Sequence, residues 1–449
     1  MDIDVFLHHL HFQSELVTPD NWEVDWDDAP LPYKVYRNLP GFPLDADIPL
    51  SFQDPSFSPE PNRKTISHFL WYVFGLSQFS QTALPSPMDG ESFEIIQSFR
   101  RFSPSGGALY PNELYIYLKL GDLPHGLYHY DVAHHRLLLL REGDFDIYIS
   151  DALGNPSAMS DCFGAVLLTT MFWKNFFKYN NFSYRLQGLD AGAVIGQLLE
   201  VNRRFRFSSK VHFQFLDQAL NHLLGLDDQE ENTYAVIPLS DCKTFPAHEA
   251  KVKEISALEL CKEIPYIKTV HYQRSKNVLS FPEILRVNQA AKFDSTVLFH
   301  HLEDRKEENV GKPVYVLPEV KNENDNFALN CRNRYSPEMD FISKRVELVQ
   351  LASLLKQAVD SFSFDNDLDK TKGQLPRVSI YGCFYNVEGI PNGAYQYDAS
   401  SHSLLQIKEG DLRLTLQGGM TLDNVNLHQV PMSFHIVGDR THFKAELGY

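Results

Sequence analysis

One stretch of this chain occurs twice. Leu123-Pro-His-Gly-Leu-Tyr-His-Tyr-Asp131 returns as Ile390-Pro-Asn-Gly-Ala-Tyr-Gln-Tyr-Asp398, 267 positions downstream (123 to 390). The match continues without a gap through His135/His402, Leu137/Leu404, Leu138/Leu405 and Glu142-Gly-Asp144/Glu409-Gly-Asp411. A strand–turn–strand unit has been copied. Solenoid periods are about 20–50 residues, so a spacing this long means two copies of a domain. Ile48-Pro-Leu50 and Val316-Leu-Pro318 stand at similar places ahead of helices expected over 66–75 and 347–359. A tandem duplication turns a two-fold dimer into one chain, a fused pseudo-dimer. Each copy can then lose what its half of the interface no longer needs.

The period and breaker pattern divides the 449 residues into four parts. Residues 1–60, rich in Pro, Asp and aromatics, read as an extended N-terminal arm. Residues 61–245 are copy one, 246–314 a connecting segment with a charged, solvated run at 303–308, and 315–449 copy two. In copy one, 80–104 reads as a polar loop. Strands follow at 114–120, 126–131 and 136–141, with His134-His135 solvated in the turn between the last two. Residues 165–172 read as a buried strand, 183–205 as a long helix and 234–238 as a closing strand. The helix carries Gly188, Ala191, Gly192, Ala193 and Gly196, small residues that admit either a tightly packed neighbour or a planar ligand. Copy two reaches Tyr449 where copy one has Tyr184-Arg185, so residues 185–238 lack a counterpart. The expected fold is therefore α+β, two tandem copies with the second incomplete at its C-terminus, which would leave apolar surface exposed.

Charge excludes some functions. With 41 Lys+Arg against 58 Asp+Glu the net charge is −17, the wrong sign for a nucleic-acid or anionic-membrane surface. No apolar run nears the ~18 residues of a membrane helix. The first residues are acidic where a signal peptide needs basic ones, so a cytoplasmic location is expected. Five scattered cysteines without a CxxC pair indicate neither a disulfide framework nor a zinc site. His8-His-Leu-His11 lacks a spaced carboxylate or thiolate, fits a mobile arm, and gives no expected metal site. GxGxxG and P-loop fingerprints are absent.

The two copies differ where anion or cofactor chemistry would sit. Copy one has Arg100-Arg-Phe-Ser-Pro-Ser-Gly-Gly-Ala-Leu-Tyr-Pro111; copy two has Pro376-Arg-Val-Ser-Ile-Tyr-Gly-Cys-Phe-Tyr385 there, without the turn. Copy two has Cys331-Arg-Asn-Arg-Tyr-Ser336 before its first helix, where copy one has Asn62-Arg-Lys64. In an extended segment Arg332 and Arg334 would point to one side and clamp a phosphate; a solvated surface pair is the plainer alternative. Ser103, Pro104, Ser105, Gly106 and Gly107 form a turn whose backbone can approach a ligand, or an ordinary Pro-Gly loop.

Together, RRFSPSGGALYPNELYIYLKL, GLYHYD and LLLLREGD resemble the SagB-type dehydrogenases of thiazole/oxazole peptide biosynthesis, within the FMN-dependent nitroreductase superfamily. The resemblance spans roughly residues 60–240, with a weaker second copy over 315–449. It implies a sheet flanked by helices and FMN at a dimer interface. It further implies that Arg332, Arg334 and Ser336 hold the phosphate while Ser103, Pro104, Ser105, Gly106 and Gly107 reach the flavin from the other copy. One composite site would result, its pseudo-symmetric twin being dead. Lys178-Tyr179, ahead of Tyr184-Arg185, resembles the family's catalytic pair; outside the resemblance it reads as a surface lysine beside a packing tyrosine. Moving a proton from an azoline ring needs such a group, while the flavin takes the electrons and oxygen reoxidises it. The implied function is FMN-dependent oxidation of azolines to azoles in a precursor peptide, alongside a YcaO-type cyclodehydratase. The alternatives are an NAD(P)H:flavin oxidoreductase on small molecules and an inactive scaffold of a peptide-modifying complex.

Overall fold

The computed structural model describes residues 2–51, 60–85, 93–242, 253–302, 312–320, 326–336, 341–370, 376–420 and 425–438. Its strands are β1 (Gly41–Pro43), the hairpin β2 (Leu76–Pro85) and β3 (Phe93–Arg101), then β4 (Asn112–Leu118), β5 (Gly126–Asp131), β6 (Arg136–Glu142), β7 (Gly164–Met171), β8 (Ser208–Ser209) and β9 (Glu231–Ser240). Copy two adds β10 (Lys312–Val316), β11 (Val378–Phe384), β12 (Gly393–Asp398), β13 (Ser403–Glu409) and β14 (Met432–Gly438). The helices are α1 (Ile3–Phe12), α2 (Arg63–Phe74), α3 (Asp146–Ala152), α4 (Trp173–Tyr179), α5 (Ser183–Phe205), α6 (Asp217–Leu224), α7 (Ala257–Cys261), α8 (Pro282–Ala291), α9 (Phe327–Asn333), α10 (Leu348–Asp360) and α11 (Arg413–Gly418). None of the described helices is long and apolar enough to cross a membrane.

The duplication is visible strand by strand. The first sheet runs β1-β6-β5-β4-β7-β9-β8 and the second β10-β13-β12-β11-β14, all pairs antiparallel. Small irregularities are copied too. Tyr130 Oη meets His135 Nδ1 at 2.8 Å, and Tyr397 Oη meets His402 Nδ1 at 2.7 Å. His135 and His402 both hold φ +46°, a left-handed conformation unusual for a side chain larger than glycine. Each also reaches back with Nε2, to Asp45 O and Pro318 O, both at 3.1 Å. His135 is thus a built-in turn residue rather than a solvated one. Leu44 N donates to His135 O and Leu317 N to His402 O. Leu317 therefore corresponds to Leu44, so 41–44, not 48–50, is the upstream counterpart.

Antiparallel sheets often leave one face wet; here both faces of the first are covered. Side chains alternate along β4, so Leu114, Ile116 and Leu118 join the core under α2 and α5, and Tyr115 and Tyr117 join the core under α3, α6 and α7. All seven β4 positions are consequently buried.

Three expectations need correcting. Within 80–104, residues 80–85 and 93–101 are not loop but belong to β2 and β3, which pair with Ser80 Oγ 2.6 Å from Ser98 Oγ; residues 86–92 lie outside the described residues. Polar residues interrupt both strands in the sequence, so no period-2 hydrophobic pattern marked them. The arm begins with α1, capped by Asp2 accepting from Asp4 N, and Phe6, Leu7 and Leu10 pack with Val287 of α8. The His8–His11 run is therefore on a docked helix, not a mobile arm. The connecting segment contributes Ile255, Ala257 and Leu260 to the core of copy one; its charged run at 303–308 lies outside the described residues, as does the chain beyond 438.

Candidate functional site

The loop after β3 is tied down from one side. Ser105 Oγ donates to Asp190 Oδ2 at 2.5 Å and Gly106 N to Asp190 Oδ1 at 3.0 Å. Ser105 Oγ also accepts from Tyr110 N. Burial pushes the Asp190 carboxyl up, against these two hydrogen bonds. Pro104 is exposed. Ser103 is 1% exposed, and its Oγ has no hydrogen-bond partner among the described residues. Gly107 holds φ +64°, and a Cβ there would stand 2.6 Å from Tyr179 Oη and 3.0 Å from Lys178 Nζ. Backbone angle and space both demand glycine.

The loop therefore lies on the Lys178-Tyr179 pair, which ends α4. Residues of the N-terminal arm hold that end. Trp22 Nε1 donates to Lys178 O at 3.2 Å, and Lys178 Nζ lies 5.2 Å from the Trp26 ring centre. Burial brings the Lys178 ammonium below its usual range. Burial, then the Asp190 charge, pushes the Tyr179 phenol up. Lys178 is thus half-buried and covered by an aromatic ring, not a solvent-facing lysine.

One turn earlier on α4, Lys174 anchors the helix to the sheet. Its ammonium forms a buried ion pair with Glu113 and donates to Tyr110 O at 3.2 Å. Glu113 also accepts from His129 Nε2 at 2.8 Å and Lys34 N at 2.9 Å. Burial opposes ionisation of Glu113, but Lys174 and His129 outweigh it and hold the carboxyl well below the usual range. Lys34 Nζ pairs in turn with Glu231 at 2.6 Å.

The arginine motif departs from its expected shape. Arg332 and Arg334 do not alternate along an extended segment. Asn326 caps α9 by accepting from Leu329 N, and the helix runs through Arg332 to Asn333. Arg332, exposed in the last turn, donates Nε to Ala328 O at 3.3 Å. Arg334, just past the helix, donates Nε to Phe102 O at 2.8 Å and Nη2 to Arg101 O at 3.1 Å. Ser336 is exposed two residues on. The motif of copy two thus grips the chain immediately before Ser103 of copy one.

Both motifs dock on α5. Asp190 holds the loop, and Gln197 Nε2 lies 3.5 Å from Cys331 Sγ. Seven helical residues separate these contacts by about 10 Å along one face. Ala193 lies between them, and a Cβ on the flanking Gly192 or Gly196 would meet no atom within 4 Å. The partner-less Ser103 hydroxyl and the exposed Arg332 guanidinium fit an anionic ligand such as a flavin nucleotide. Sequence reading missed Asp190, whose signal was one acid inside a small-residue helix, and Trp22 and Trp26, which carried none.

At the pseudo-symmetric position the residues serve structure. Asn62 caps α2 by accepting from Thr65 N, and Arg63 Nε donates to Pro43 O at 2.9 Å. Copy two's 378–384 is plain strand. Residues 365–367 of copy two bridge to Val211, where Val211 N donates to Asp365 O at 2.8 Å. Among the described residues there is no cluster of three or more His, Cys, Asp or Glu able to hold a metal.

No family model matches the chain. A 104-residue segment is 31% identical to the trifolitoxin-processing protein TfxB of Rhizobium leguminosarum bv. trifolii, which amounts to 22% of this chain. The chain covers 28% of that relative's length. Among solved structures, a putative nitroreductase from Anabaena variabilis superposes with a TM-score of 0.67 and 20% identity, over 97% of this chain and 85% of that one. The E. coli microcin synthetase McbBCD complex with truncated pro-MccB17 bound gives a TM-score of 0.31 and 20% identity over 52% of this chain and 81% of that one, too slight a likeness to bear on the fold. The fold is nitroreductase-like, α+β, with two tandem copies.

Proposed function

We propose that this chain is an FMN-dependent dehydrogenase that oxidises azolines to azoles in a ribosomal peptide. The carrying observation is that Arg334 of one copy holds Arg101 and Phe102, the chain leading into the Ser-Pro-Ser-Gly-Gly loop of the other, whose Gly107 lies on Lys178 and Tyr179. A single composite site follows, made by Arg332, Arg334 and Ser336 with Ser103, Pro104, Ser105, Gly106 and Gly107. Bound FMN would supply a two-electron acceptor there.

The chain's own residues do the rest. Arg332 presents the positive charge for a phosphate. Arg334 acts through the backbone it holds, fixing residues 101–102 and hence the loop. Gly107, with no side chain, lets the loop backbone lie directly against Lys178 and Tyr179. Lys178, made less basic by burial, takes the ring proton at Nζ, and Tyr179 Oη stands beside it as donor. Aromatising an azoline requires loss of one ring proton, which Lys178 would take, and of one hydride from the neighbouring carbon, which bound FMN would accept. The likeness to a protein described as trifolitoxin-processing supports a peptide substrate, and a YcaO-type cyclodehydratase is the partner that would make its azolines. A cytoplasmic location belongs to this reading, in keeping with the net charge of −17.

A second reading has one observation in its favour. Arg334 commits two nitrogens to carbonyls, so the clamp has one fewer guanidinium edge free than a pair would give, as in a scaffold that binds partners without catalysis. An absorbance spectrum and FMN titration of the purified chain separate the two. Flavin bands, with an affinity about tenfold weaker in Arg332→Ala, support the dehydrogenase. No uptake at any FMN concentration overturns it in favour of the scaffold.

A further inference from the structure

A cavity of about 500 Å³ opens on the other side of α5, between β9, α6, α8 and the end of α1. It contains none of the loop or arginine-motif residues. Six aromatic rings line it: Phe172, Tyr184, Phe213, Phe215, Tyr234 and Phe293. One acid lies among them. Asp217, the first residue of α6, is 8% exposed. Its Oδ2 accepts from Phe293 N at 3.0 Å, and Oδ1 accepts from Asn232 Nδ2 at a long 3.5 Å.

Lys292 is near enough to favour the charged carboxylate, but burial outweighs it. Among the described residues no Lys, Arg or His forms an ion pair with Asp217, and the nearby Lys292 is paired with Asp228 at 2.7 Å. A buried, unpaired carboxylate is costly unless a counter-charge arrives. Burial accordingly pushes its carboxyl up to about 7. Aromatic faces around an acid are the chemistry that recognises an organic cation, through ring quadrupoles and one charge-assisted hydrogen bond. His11 and Arg185 stand exposed at the outer edge. The positive charge of Arg185 disfavours a second cationic end on the ligand.

We propose that this cavity is a binding site for an aromatic ammonium, with its nitrogen on Asp217 Oδ1 and its body against the aromatic walls. The site is independent of the proposed flavin site and needs no cofactor.

Calorimetric titration of the full chain at about pH 8, where Asp217 is ionised and an alkylammonium protonated, tests it with three probes of one shape. These are 2-phenylethylammonium, 2-phenylethanol and 3-phenylpropionate. The ammonium alone is expected to bind, and Asp217→Asn to weaken it about tenfold or more. Gly188→Leu, which projects into the cavity beside Tyr234, whose Oη lies 3.0 Å from a Cβ at 188, should abolish binding even if the first variant folds poorly. Equal binding of the alcohol, tighter binding of the carboxylate, unchanged affinity in Asp217→Asn, or no binding of the ammonium overturns the proposal.

Discussion

Asp367 of copy two closes on Phe213 of copy one: its carboxylate accepts the Phe213 backbone N–H at 2.9 Å and the next, from Gln214, at 2.8 Å. Two consecutive amides of one copy are thereby satisfied by the other. An oxygen of the same carboxylate lies 3.8 Å from His212 Nδ1. The contact makes the second copy a structural component of the first.

Its pH dependence is testable. Burial pushes the Asp367 carboxyl up to about 6, against the two amides and Lys210. A carboxyl whose folded value is raised lends stability that is full below its unfolded value and is lost as pH rises through the folded one. His212 does not titrate in this window, because burial takes it down to about 3. Between about pH 4 and 7 the wild type should lose roughly 2–3 kcal/mol relative to Asp367→Asn. Urea midpoints of both proteins across that range check this; parallel curves refute it.

Gly107→Ala should leave folding largely intact and damage the site. The added methyl would enter the space of Tyr179 Oη and Lys178 Nζ, at a φ that strains any L side chain. A stability loss of about 1–2 kcal/mol is expected, with FMN affinity falling at least tenfold. Circular dichroism and flavin titration measure the two separately. Unchanged flavin uptake would show that residues 103–107 do not touch the cofactor.

The Lys174–Glu113 pair should be strongly coupled. Lys174→Met leaves the Glu113 carboxylate buried and short of its main cation, at a cost of about 3–5 kcal/mol. Adding Glu113→Gln should restore part of that loss, because the uncompensated charge goes with it. A double-mutant cycle in denaturant reads the coupling; strict additivity would mean that the pair does not act as a unit.

What the sequence disclosed follows from how local each signal is. The repeat was legible because side chains at one offset face the same neighbours, down to Tyr130–His135 and Tyr397–His402. Helix α5 was read to its boundaries because its pattern is continuous over 23 residues. The β2–β3 hairpin was missed because polar residues such as Ser77, Gln78, Ser80, Gln81, Gln97 and Ser98 break any regular alternation in its sequence. The arginines were given the wrong local geometry because α9 is short and is announced by a single capping asparagine. Asp367 could not be found at all, since its partners lie 153 and 154 residues away.

The grip of Arg334 on Phe102 has a further bearing on how such a chain can change. In a symmetric dimer any substitution at the interface strikes twice, once on each side of the axis. Here a substitution at position 334 or 102 strikes once, and its mirror position holds unrelated residues. Each half can therefore drift under its own constraint, one towards ligand, the other towards support, without the reciprocal damage that keeps identical subunits alike.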